Sequence, residues 1–147
     1  MTATREMDIL LVDDNLGDVL LTKEALKGAQ VRSTVSVAND GVEAMQFLKR
    51  EGKYGNAPRP DLVFLDLNMP RKNGAEVLAE MKGDANLRPI PVVILTSSDA
   101  DEDVVNAYQL HANCFVTKPA DLDQMIKAVQ AIDSFWMGIA KLPPRLS

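Results

Sequence analysis

The chain of 147 residues has the length of one domain, and 46% hydrophobic with 25% charged residues is an ordinary globular composition. No stretch approaches the roughly 18 consecutive apolar residues of a membrane helix, and the mixed-charge start, Met1–Asp8, does not read as a signal peptide. A net charge of −5 argues against general nucleic-acid affinity, and the single cysteine, Cys114, forbids an internal disulfide, which points to a reducing cytoplasm.

Short apolar runs alternate with helically spaced segments along the chain. Asp8–Val12 is a strand pattern, followed by helical spacing over Val19–Lys27. The alternating Thr34–Val37 comes next, then Val42, Met45, Phe47 and Leu48 on one helical face. Glu51–Pro60, with its Gly and Pro residues, is a loop before the third run, Leu62–Leu65. Val77, Leu78 and Met81 mark a third helix that Gly83 ends, and Pro89 and Pro91 lead into Val92–Leu95. Val104, Val105 and Tyr108 precede Cys114–Val116, and Leu122, Met125, Ile126, Val129 and Ile132 close the series. Asp18, Asp40, Asp101 and Asp121 stand at or near helix starts, where carboxylates suit exposed N–H groups. Five β–α repeats predict an α/β fold: a doubly wound, five-stranded parallel sheet with helices on both faces. Four of the runs are continuously apolar, as expected of strands covered on both sides.

Ligands of such sheets bind beyond the carboxyl ends of the strands. There the sequence places Asp13–Asp14 after the first strand, Asp66 after the third, Thr96 at the fourth and Thr117–Lys118–Pro119 after the fifth. Clustered carboxylates repel by roughly 4 kcal/mol per pair at about 4 Å and an effective dielectric of 20. Lys118 offsets part of this, and a hard cation with oxygen ligands relieves the rest; Mg²⁺ suits best. Asp13 and Asp14, with the Asn68 backbone carbonyl and a share of Asp66, are the metal-ligating candidates. Asp66 is also the candidate nucleophile toward a phosphoryl group, with Thr96 and Lys118 to bind its oxygens. Taken singly, each residue also has a plainer reading: Asp14 and Thr96 as caps, Lys118 as a solvated charge. It is their coincidence at successive strand ends that favours a metal–phosphate site.

These residues carry a resemblance. Leu11–Asn15, Leu65–Pro70 with Gly74, Ile94–Ser98 and Phe115–Pro119, in this order, are similar to the motifs of response regulator receiver domains of two-component systems. The likeness spans about residues 8–134. It implies a flavodoxin-like (βα)5 domain with strand order 2-1-3-4-5, and phosphoryl transfer to Asp66 from a histidine kinase. It further implies Mg²⁺ among Asp13, Asp14, Asp66 and the Asn68 carbonyl, and a switch in which Thr96 follows the phosphoryl group and Phe115 changes rotamer. Phe115 stands where the family often has Tyr, so a hydroxyl-dependent switch is not expected. The Lys118–Pro119 bond is usually cis in the family.

Pro58–Arg59–Pro60, Ala107–Asn113 and the tail from Ser134 through Pro144 resemble stand-alone receivers serving phytochrome-type sensor kinases. The expected layout is a receiver over residues 1–134 and a short tail over 135–147 without an output domain. The protein is then a switch rather than a turnover enzyme, with a histidine kinase and a downstream protein as partners. No nucleic-acid or membrane partner is expected. A homodimer is expected through the strand 5–helix 5 face and the tail. Phe135 and Trp136 fit either packing on the last helix or a dimer anchor. His111 is read as a helix-end solvent residue and Cys114 as a small core hydrophobe. An aspartate-nucleophile phosphatase is disfavoured because Asn68 stands where a second acid belongs. A flavin-binding module is disfavoured because Asp13–Asp14 would repel phosphate.

Overall fold

In a computed structural model, residues 6–27, 33–139 and 141–143 are described. The strands are β1 (Met7–Val12), β2 (Ser33–Ala38), β3 (Leu62–Leu65), β4 (Val92–Thr96) and β5 (Cys114–Thr117). The helices are α1 (Leu16–Lys27), α2 (Gly41–Leu48), α3 (Gly74–Gly83), α4 (Asp101–Gln109) and α5 (Leu122–Asp133). The strands form one sheet in the order β2-β1-β3-β4-β5, and every pairing is parallel.

The period-2 alternation of each strand divides the core into two layers. Leu10, Val12, Val63, Leu65, Val92 and Ile94 face α2, α3 and α4. Ile9, Leu11, Leu62, Phe64, Val93 and Leu95 face α1 and α5. Every residue of β3 and β4 is buried, as a parallel sheet covered on both sides requires. Truncating one of these side chains, Leu10 for example, removes about 2–5 kcal/mol.

The outer strands differ from the central ones. β5, at the edge as the expected order places it, is half-buried along Cys114–Val116 and exposed at Thr117, less covered than its apolar composition suggests. Among the described residues no strand flanks its outer side, and Cys114 is accordingly only half-buried. The helix starts follow the acidic residues. Asp40 caps α2 by accepting from Glu43 N at 2.8 Å, and Asp121 caps α5 by accepting from Gln124 N at 3.1 Å. Asn73 and Glu76 close a capping box on α3. Asp101 is the first residue of α4, whose N-cap, Ala100, offers no side-chain hydrogen bond.

The expected loop 51–60 contains one 3₁₀ turn, Gly52–Tyr54, whose Tyr54 ring packs on Phe47. His111 is exposed just past α4, in the left-handed region with φ 71°. After α5 the chain continues as a π-helical segment, Ser134–Ile139. Trp136 and Leu142 are half-buried against the α1–α5 layer, whereas Phe135 remains 51% exposed.

Candidate functional site

Two strand ladders run one residue past their strands and fix the backbone of two acids. Asp13 N donates to Ala38 O at 3.1 Å, and Asp66 N donates to Val12 O at 2.9 Å. Asp13 and Asp66 are therefore buried, at 2% and 7% exposure, while Asp14 faces solvent. Carboxylate oxygens of Asp13, Asp14 and Asp66 lie within 4.8 Å of one another.

Lys118 enters this cluster from the far edge of the sheet. Its backbone N–H donates to Thr96 O at 2.6 Å, which continues the β4–β5 ladder. Its ammonium, on a side chain only 7% exposed, lies 2.7 Å from Asp13 Oδ2, 2.9 Å from Asp18 Oδ2 and 3.4 Å from Asp66 Oδ2. The Lys118–Pro119 bond is trans, and no described residue has a cis peptide bond, in contrast to the family expectation. The trans backbone, tied to Thr96, already delivers the ammonium to the acids.

Burial works against the Lys118 charge, but its hydrogen bonds to Asp13 and Asp18 and the fields of Asp66 and Asp13 hold its pKa well above that of an ordinary lysine. Asp13 shifts the other way from a simple ion pair. Burial pushes its carboxyl up, and the bonds from Lys118 and from Asn15 N–H offset this only in part. The asymmetry has a simple cause: the ammonium gains from several carboxylates at once, whereas for Asp13 burial outweighs what Lys118 returns.

The β3–α3 loop is seated tightly around Asp66. A Cβ on Gly74 would lie 2.1 Å from Asp66 O, so only glycine permits α3 to begin there. Gly74 N donates to Leu67 O at 2.9 Å, and Asn68 N points at Asp66 Oδ1 at 3.4 Å. Arg71, at φ 64°, folds back so that its Nε lies 3.0 Å and its Nη2 2.5 Å from Asp40 Oδ2. Gly41 N donates to Lys72 O at 3.1 Å, where a Cβ would again have no room. This clamps the loop to the start of α2.

Thr96 is fully buried, and its hydroxyl has no hydrogen-bond partner among the described residues. Phe115, in register with Ile94, is half-buried against the α2–α4 layer. Ser98 Oγ donates to Asp103 Oδ2 at 2.5 Å rather than being turned free. A groove of about 890 Å³ between α1 and the β5–α5 loop opens beside the cluster, with Asp18, Leu20, Ser97, Lys118, Leu122 and Met125 among its walls.

Asp13, Asp14, Asp66 and Lys118 thus converge as the sequence suggests, with Thr96 at the neighbouring strand end. Two features escape sequence reasoning: the grip of Asp18 on Lys118 and the Arg71–Asp40 clamp. Asp18 carries a signal, since it follows Asp14 by one helical turn, but its suitability for a helix start already accounts for it. The donor set is three carboxylates, all oxygen, which fits a hard divalent cation, while Asp18 pairs with Lys118 beside it. His111, the only histidine, stands outside it on the surface after α4.

Comparison with known proteins agrees with this architecture. The chain is 47% identical to the response regulator Rcp1 of Synechocystis sp. over 92% of each chain. A solved structure of the phosphorylated cyanobacterial phytochrome response regulator RcpA superposes with a TM-score of 0.93 at 47% identity, over 95% of this chain and 100% of that one. The Mn²⁺-bound form of Rcp1 superposes with a TM-score of 0.91 at 46% identity, over 94% of this chain and 99% of that one. The response regulator receiver domain model matches residues 9–130, and the chain belongs to that family, the phosphoacceptor module of two-component signalling.

Proposed function

We propose that Asp66 accepts a phosphoryl group from the phosphohistidine of a sensor kinase and that the domain passes the signal on through protein contacts. The observation that carries this reading is the convergence of Asp13, Asp14 and Asp66 under the Lys118 ammonium at one edge of the sheet.

In the transfer, an Asp66 carboxylate oxygen forms a bond to phosphorus while the donor's P–N bond breaks, its electron pair remaining on the imidazole nitrogen. Lys118 binds one phosphoryl oxygen as a point charge. The buried Thr96 hydroxyl, which lacks an acceptor among the described residues, donates to another. Asp13, Asp14, Asp66 and the Asn68 carbonyl would hold Mg²⁺, and the Mn²⁺-bound form of Rcp1 supports a divalent cation here. When bound, that cation neutralises charge on the phosphoryl oxygens. Movement of Thr96 toward the new phosphate opens space behind it for a rotamer change of Phe115, which has no hydroxyl to anchor it.

The likeness to phytochrome response regulators supports a phytochrome-type histidine kinase as donor. No described helix is long and apolar enough to cross a membrane. A cytoplasmic site of action belongs to this proposal because the phosphohistidine donor would meet Asp66 there. Residues 1–134 form the receiver and 135–147 a short tail. The half-exposed β5 and the exposed Phe135 ring support a homodimer through the β5–α5 face and that tail. The domain assists its own phosphorylation and dephosphorylation and turns over no separate substrate.

The test is intact-mass measurement after incubation with Mg²⁺ and a small acyl phosphate. The parent should gain one base-labile phosphate and Asp66→Asn none. Labelling of Asp66→Asn at the parent rate would remove the assignment.

A further inference from the structure

The Lys118 ammonium lies nearer to Asp18 than to Asp66, at 2.9 Å against 3.4 Å. Asp18 is not one of the three carboxylates that converge on the candidate cation position. It belongs to the first turn of α1, its side chain is 35% exposed, and it forms part of the wall of the groove beside the site. The three acids that hold Lys118 therefore differ in what happens when phosphate arrives. Asp13 and Asp66 would share their charge with a divalent cation, which weakens their hold on the ammonium. Asp18 lies outside that set and keeps its full charge for Lys118. A phosphoryl group on Asp66 would compete with Asp18 for the ammonium.

We infer that Asp18 is a positioning residue that holds the Lys118 ammonium back from Asp66 and so sets how readily the site takes a phosphoryl group; the inference rests on the reading of Asp66 as acceptor. Asp18 makes and breaks no bond in the transfer. With a small acyl phosphate as donor, the Asp66 oxygen bonds to phosphorus as the P–O bond to the acyl group breaks, and the electron pair leaves with the carboxylate product. Asp18 acts only on where Lys118 sits when that happens. Removing its charge frees the ammonium for the phosphoryl oxygens.

The experiment uses the full chain with Mg²⁺ and acetyl phosphate as donor, with beryllofluoride as a non-transferable mimic of the phosphoryl group. In Asp18→Asn, the labelling rate at Asp66 and the beryllofluoride affinity should each rise by about five-fold, the size of one partly exposed ion pair. Asp18→Glu should restore values near the parent's. Glu24 lies in the same groove but pairs with Lys27. Glu24→Gln should leave both readouts within about two-fold of the parent, because it alters the field without touching Lys118. An unchanged or slower Asp18→Asn overturns the inference, as does an equal gain in Glu24→Gln, which would mark a bare field effect. Failure of the parent to label, or persistent labelling of Asp66→Asn, would instead overturn the acceptor reading itself.

Discussion

The carboxyl edge of the sheet and the end of α5 both bury carboxylates, and they compensate for it in opposite ways. Asp13 and Asp66 are 2% and 7% exposed, and each finds Lys118 and a backbone N–H. Asp133 is 3% exposed, and its Oδ1 has no hydrogen-bond partner among the described residues. Burial raises the Asp133 carboxyl with nothing to oppose it. At the site, by contrast, charge is concentrated and then held in check by one buried ammonium. Buried charge is retained where a partner can exchange for another partner, and merely tolerated where none exists.

The largest expected effect breaks the compensation at the site. Lys118→Met leaves the acid cluster without its cation and should cost about 3 kcal/mol of stability at neutral pH without metal. Saturating Mg²⁺ should recover most of that loss, since a divalent cation satisfies the same carboxylates. Chemical denaturation of both proteins with and without Mg²⁺ reads this directly, and an equal deficit in the two conditions would refute the shared-cation account.

A smaller effect sharpens the contrast at Asp133. Its folded-state pKa is raised, so the stability linked to its protonation is present below the unfolded value and is lost as pH rises through the folded one. Asp133→Asn should therefore gain about 1 kcal/mol over the parent at pH 7, with the gain shrinking as pH falls toward 4. A gain independent of pH would show that the charge is not the cause.

The smallest effect concerns Asp40, a further buried acid, whose carboxylate is well provided with donors. Burial raises its carboxyl, but the Glu43 N–H and the Arg71 guanidinium outweigh this and hold it below the usual range. Its contribution is present above the unfolded pKa and is lost as pH falls through the folded one, opposite in sign to Asp133. Because Arg71 is 60% exposed, Arg71→Ala should cost less than about 1 kcal/mol at pH 7. The difference should close under acid conditions in paired thermal melts.

The sheet was legible in the chain because Leu62–Leu65 and Val92–Leu95 are too short and too apolar for anything but buried strands. Asp13, Asp14, Asp66 and Lys118 were legible for a related reason, since each follows an apolar run and a parallel sheet gathers strand ends on one edge. The half-exposure of β5 was not, because Cys114–Phe115–Val116 has the composition of a covered strand even though the expected order places it at the edge. Asp18 gave no sign of reaching Lys118 because the two are separated by 100 residues. The burial of Asp133 left no mark in the sequence because it falls at the end of a periodic helix, on the turn where the π-helical segment begins.

The clearance at Gly74 has a mechanical consequence. With 2.1 Å between the Asp66 carbonyl oxygen and the place a Cβ would occupy, main chain bears on main chain with no side chain between them. Such a joint has no compressible layer. A shift of the Asp66 backbone would therefore bear directly on the first turn of α3.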